Sequence, residues 1–423
     1  MKSVEFEEFK LSNGLHGIVH ENHRSPIVVL DIWYHVGSKN EQPDRTGFAH
    51  LFEHMMFQGS ANVGKTEHFA YIQKAGGTAN GTTSHDRTNY YETLPSNQLE
   101  LGLWLESDRM MSLNVNQDNF QNQLDVVKEE RRMNYDNTPY GTVYESLHRR
   151  AFIRHPYRWT PIGSMADLDR ATLDEVSAFF KTYYVPNNAT VVIAGDVNPR
   201  EVPELVSKYF GDIPKGPEIV RPSSEDLPLT GEIRDVVYDN VQLPGLFIAY
   251  RICEILSFDS DVLGLLSSIL TDGKSSRLYR KLVHEERLLK SIDTQPAPAE
   301  HPGLFFISAI ASNGMSLQEI EMRIDEEFQK IIDEGVSEEE LQKAKNTSEM
   351  MIVKGFESMM GIAQNLAHFH IFYGNAAEVQ NELGRVSRVT CEDVKRVAKK
   401  YFDTKGRVVL HWLPKAAATK TSL

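Results

Sequence analysis

The run His50-Leu51-Phe52-Glu53-His54 places two histidines and a glutamate within five residues of the 423-residue chain. Two histidines four apart on a helix put both imidazoles on one face, one turn apart, where they can share a cation. Neutral imidazole is a good zinc ligand, and catalytic zinc takes three protein ligands and leaves a position for water. Glu53 neighbours His54 and follows His50 by three, so its carboxylate can lie beside such a metal and take a proton from water. The flanking residues Phe48, Leu51, Phe52, Met55, Met56 and Phe57 are apolar. Ionisable groups in that setting are costly unless they pair or hold a metal.

A third ligand is needed. The segment 117–135 reads as a helix with two candidates, Glu129 and Glu130. At about 100° per residue, Phe120, Leu124, Val126, Val127 and Met133 define an apolar direction; Glu130 falls about 40° from it and Glu129 about 140°. Glu130 is therefore expected to point inward and Glu129 outward. An inward carboxylate needs a partner, which is either a metal or an arginine such as Arg87 or Arg131.

The elements that must position these groups follow from periodicity and turn chemistry. Strand-like segments at 5–10 and 15–20 flank an Asn-Gly turn. A β-rich apolar run at 27–36 is followed by a polar loop and by the helix carrying the histidines, expected over 47–57. Helices are expected at 67–75, 98–113 and 173–183, with a strand at 189–195. The second half repeats this order, with strand-like residues at 237–249 and helices at 259–270, 275–285 and 317–334. The ends of the halves match best. TLDEVSAFFKTYYVPNNATVVIAG parallels TCEDVKRVAKKYFDTKGRVVLHW, each with a capping threonine (Thr172, Thr390) and an acid three residues on (Glu175, Asp393). A period of about 200 residues suggests a duplicated domain. Mixed runs of strands and helices favour α+β over a doubly wound sheet. The Pro- and Gly-containing stretch 213–228 reads as the linker. The expected domains are 1–218, with the metal site, and 219–423, without one.

Composition narrows the function class. With 41% hydrophobic and 25% charged residues the chain is an ordinary globular protein. A formal net charge of -14 argues against nucleic acid or an anionic membrane as partner. Two distant cysteines, Cys253 and Cys391, form neither a disulfide framework nor a cysteine zinc site and read as buried small hydrophobes. No apolar leader opens the sequence and no stretch approaches the length of a membrane span. A soluble, cytoplasmic protein is expected, or a periplasmic one if a signal preceded this numbering.

The sequence resembles the inverted-zincin peptidases of the pitrilysin–insulinase (M16) family, and most closely the short two-domain type that includes mitochondrial processing peptidase. The inverse order HxxEH marks that group. The family's third ligand is a Glu some 76 residues past the second His, and Glu130 stands 76 residues past His54. GFAHLFEHMMFQGS is similar to the family's metal helix, GGTANGTTSHDRTNYYETLP to its edge-strand segment, PIGS to a turn between motifs, YYVPNNATVVIAGDV to its domain-closing strand, and GKSSRLYRKLV to a helix start in its second domain.

The resemblance implies one Zn2+ per chain held by His50, His54 and Glu130, with Glu53 as general base. It implies two homologous domains, each a mainly antiparallel sheet flanked by helices, forming half of a clam-like chamber. It also implies that Thr78, Ala79, Asn80, Gly81 and Thr82 present a strand edge to a peptide substrate. Two positions depart from the family pattern. Gln123 replaces a Glu that supports the metal site, so the surroundings carry one negative charge fewer. Val283 and Lys290 stand where an Arg and a Tyr would polarise the substrate carbonyl. The expected activity is therefore zinc endopeptidase hydrolysis of unfolded peptides or presequences in a dimer, with a zinc-lacking homologous subunit supplying Arg and Tyr. The alternative is a scaffold subunit that holds peptides without cutting them. Substrate, compartment, and homodimer versus heterodimer stay open at this point.

Overall fold

The computed structural model describes residues 3–415, which form two units, each built on one sheet. Within the described residues, unit 1 comprises 3–131, 159–222 and 353–381, and unit 2 comprises 132–158, 223–352 and 382–415. The principal crossover, at Pro222/Ser223, falls in the linker read from the sequence. Two further segments, 132–158 and 353–381, pack with the unit opposite to their place in the chain.

Unit 1 contains β1 (Glu7–Lys10), β2 (His16–Glu21), β3 (Ile27–Tyr34), β4 (Thr78–Thr83), β5 (Thr88–Pro95) and β6 (Ala189–Gly195), in the order β1-β2-β6-β3-β5-β4. Gly14, at φ 98, takes the left-handed conformation that the turn between β1 and β2 requires. Central β3 and β6 are almost wholly buried, so they read as continuous apolar runs and not as alternating ones. Unit 2 contains β7 (Ile233–Asp239), β8 (Gly245–Arg251), β9 (Leu289–Ala297), β10 (Leu304–Ala311) and β11 (Arg407–Pro414), in the order β7-β11-β8-β10-β9. This is the order β2-β6-β3-β5-β4 of unit 1 repeated. Each sheet has one parallel pair, β2 with β6 and β7 with β11, and is otherwise antiparallel. The α+β reading and the duplication both hold, and the sheets are mixed.

The exchanged segments each deliver a covering helix. In unit 1, Ile362, Leu366 and Phe369 of the helix Met359–Tyr373 pack on Ile18, Val29, Trp33 and Val192. In unit 2, Val143, Leu147 and Ala151 of the helix Val143–Ala151 pack on Phe247, Ala249, Val408 and Leu410. Both capping boxes form, Thr172 with Glu175 and Thr390 with Asp393.

Several boundaries depart from the sequence reading. The helix expected over 117–135 runs Gln117–Arg131 and ends in a π-turn at Arg132–Asp136, which leaves Met133 exposed. The helix expected over 275–285 starts at Arg277 and is π-helical over Tyr279–Glu285. The strand-like stretch 237–249 is two strands, β7 and β8. Cys253 is buried and Cys391 half-buried, and both are free thiols. Among the described residues no helix is long and apolar enough to cross a membrane.

Candidate metal centre

His50 and His54 lie on the eight-residue helix Phe48–Met55, whose other face buries Leu51, Phe52 and Met55. Gly47 precedes this helix at φ 94, a conformation that disfavours any residue with a Cβ. Glu130 comes from the last turn of Gln117–Arg131. Its Oε2 lies 3.6 Å from His50 Nε2 and 3.3 Å from His54 Nε2. Ligand atoms of the three residues all fall within 4.8 Å of one another. The rings of His50 and His54 are inclined at 79°, so their in-plane lone pairs approach the common space from different directions.

The protonation states suit a cation. Burial holds the His50 imidazole down to about 4, so it is neutral at physiological pH. The hydrogen bond from His54 holds Glu130 below the usual carboxylate range. Zinc needs neutral imidazole and ionised carboxylate. His50 makes no hydrogen bond, since Nδ1 is buried without a partner and Nε2 is too far from Glu130. Such an unmet group is uncommon in a folded interior. A cation at the point that His50 Nε2, His54 Nε2 and Glu130 Oε2 all face would meet two imidazole nitrogens and one carboxylate oxygen, a donor set that zinc takes, so the residues present fit the metal.

Glu53 is on the same helix. Its Oε2 accepts a 2.6 Å hydrogen bond from Thr83 Oγ1, at the end of β4. Burial raises the Glu53 pKa, and the Thr83 bond opposes that rise. A carboxylate raised in this way is better matched to exchanging protons near neutrality. Strand β4 is the outermost strand of its sheet and pairs only with β5. Thr78 and Asn80 are exposed, Ala79 and Thr82 half-buried, and Gly81 buried. A Cβ on Gly81 would sit 3.1 Å from both Glu53 Cγ and Tyr90, so glycine lets the base lie close over the strand. Gln123 is buried two turns before Glu130 and donates to Asn122.

Helix phase places Glu130 inward and Glu129 outward; in the structure Glu130 is half-buried and Glu129 exposed. Val126, used to define that phase, is itself exposed. Of the two arginines considered as partners, Arg131 donates to the Gly163 carbonyl, and Arg87 to Thr82 and Asn89. Sequence reasoning missed Thr83. The signal available was a hydroxyl at the end of the edge strand.

Two other His/Glu groups lie in unit 1. His68, Glu92 and Glu106 are fully buried, with Arg109 already paired to Glu106. Glu8, His16 and His370 bring two rings into parallel stacking at 3.8 Å and 9°, which aims their lone pairs side by side and not at one point. Among the described residues unit 2 has no such group. Val283 packs against the core of unit 2, and Lys290 is exposed on β9.

Residues 18–162 match the family model described as Insulinase (Peptidase family M16), and residues 170–348 match the one described as Peptidase M16 inactive domain. A zinc protease PqqE of Helicobacter pylori is 30% identical over 408 residues, covering 95% of this chain and 92% of that protein. The chain belongs to peptidase family M16. Other M16 relatives include a probable mitochondrial-processing peptidase subunit beta of Arabidopsis thaliana, 24% identical over 93% of this chain and 75% of that one. The crystal structure of a protease from Helicobacter pylori superposes with a TM-score of 0.93 at 29% identity, covering 97% of this chain and all of that one.

Proposed function

We propose that this M16 chain is the zinc-carrying subunit of an endopeptidase that hydrolyses unfolded peptides or presequences. The observation that carries the reading is the convergence of His50, His54 and Glu130 within 4.8 Å, with Glu53 on the same helix held by Thr83. His50, His54 and Glu130 would hold the metal, one per chain. Zinc, when bound there, supplies Lewis acidity sufficient to bring the pKa of a water to about 7. Glu53 takes the proton of the attacking water and passes it to the departing amine. Thr83 fixes which carboxylate oxygen faces the reaction. The open edge of β4, residues Thr78–Thr83, binds the peptide backbone by strand addition.

The polar group that stabilises the developing oxyanion is often a large catalytic term. Val283 and Lys290 cannot supply it as the family's Arg and Tyr would. The working unit is therefore a dimer, with a zinc-lacking homologous chain contributing those side chains within an enclosed chamber. The same two positions favour a second reading, a subunit that binds peptides without cutting them.

One experiment separates these readings. Purified chain, alone and with a homologous zinc-lacking subunit, is given an unstructured quenched-fluorescence peptide with and without chelator. The proposal expects one zinc per chain, weak cleavage alone, strong cleavage with the partner, and loss of both on chelation. Full activity of the lone chain would refute the division of labour. Bound peptide with no cleavage under any condition would establish the second reading.

A further inference from the structure

We propose that Glu41 and Arg109 are positioning residues of the metal centre, which clamp the two ends of the helix that carries His50 and His54. The inference rests on the zinc reading above. A helix of eight residues is marginal by itself. His50 is its third residue and His54 its second-last, so fraying at either end would release one ligand and lose the one-turn register between them.

Each end is held by a buried hydrogen-bonding side chain from elsewhere in unit 1. At the start, Gly47 has no side chain with which to cap. Glu41 does so from the preceding loop, its Oε2 accepting from Gly47 N at 3.0 Å and its Oε1 from Ala49 N at 2.8 Å. Those amides flank the entry to His50. At the finish, the Met56 carbonyl accepts from Arg109 at 3.5 Å. Arg109 is held in turn by a two-point contact with Glu106, and its guanidinium lies over the rings of Tyr90, at 4.4 Å, and Phe57, at 5.0 Å. Glu92 and His68, hydrogen-bonded at 2.9 Å, complete this buried cluster.

A carboxyl group stands at the N-terminus and a guanidinium at the C-terminus; burial pushes the Glu41 carboxyl well above the usual range, and its bonds from backbone N–H groups oppose that rise. Glu41 is 5% exposed and Arg109 2%. Burying charges carries a desolvation cost that well-packed apolar residues would avoid. Both groups hold the ends of the one short helix that carries His50 and His54, and so fix the register of the two rings.

The test measures zinc affinity by chelator competition, and the visible spectrum of the Co2+-substituted protein, on folded samples of E41A, E41Q, R109K and the control T172A. Thr172 caps a helix of the same unit that bears no ligand. E41A and R109K are expected to bind zinc about tenfold to a hundredfold more weakly, the range for groups that orient a ligand from behind, with a changed cobalt spectrum. E41Q, which keeps one oxygen acceptor, is expected to fall between E41A and the wild type. T172A should lower the melting temperature and leave zinc affinity unchanged. Wild-type affinity and an unaltered cobalt spectrum in both E41Q and R109K would overturn the inference, whether or not E41A folds. Failure of the wild-type chain itself to bind zinc would overturn the zinc reading instead.

Discussion

Replacing Glu53 by glutamine removes the base and leaves its surroundings nearly intact. Gln is isosteric, and its amide oxygen can still accept the hydrogen bond that Thr83 Oγ1 donates at 2.6 Å. The contact over Gly81 is also preserved, because the Cγ is unchanged. Zinc affinity, folding and KM should therefore change little, while proton transfer is lost. A positioned general base contributes about 10² to 10⁴ in rate. The expected fall in kcat is of that size, or roughly 3–5 kcal/mol in activation free energy. The assay is steady-state cleavage of a quenched-fluorescence peptide, with metal content determined on the same sample. E53Q with one zinc and turnover within tenfold of wild type would show that Glu53 is not the base.

Two further outcomes follow. H54A removes one of three ligands and should reduce bound zinc from about one per chain to near none after dialysis; retention of a full equivalent would remove His54 from the ligand set. In unit 2, burial pushes the Glu321 pKa up, but the ion pairs with Arg234 and Arg407 and the contact with His411 outweigh it and hold Glu321 at about 2. A depressed carboxylate contributes stability that is present above its unfolded pKa near 4.5 and is lost as pH falls toward about 2. The difference amounts to about 3 kcal/mol. E321Q should lower stability at pH 7 by an amount of that order and flatten the acid limb in urea unfolding; identical pH dependence in variant and wild type would refute it.

What the sequence by itself determined was local or periodic. Spacing of four put His50 and His54 on one face, and spacing of three put Glu53 beside them, because helix geometry is set within a turn or two. The two capping boxes and the strand at Ala189–Gly195 were legible for the same reason. Phase gave the inward side of Glu130, although it took Val126 and Met133 as inward too. One is exposed on the helix and the other lies past its end, in a π-turn. Apolar side chains are common at surfaces, so a phase built on five of them tolerates two that are wrong.

Tertiary structure alone decided that Thr83 holds Glu53 and that Glu41 and Arg109 hold the helix ends; it also brings Glu130, which phase and family spacing single out in the sequence, against the histidines. It also decided that the helices Val143–Ala151 and Met359–Tyr373 cover sheets formed by the opposite halves of the chain. An apolar face requires burial but does not specify its partner. Where several sheets offer a suitable surface, only the folded chain settles which one is covered.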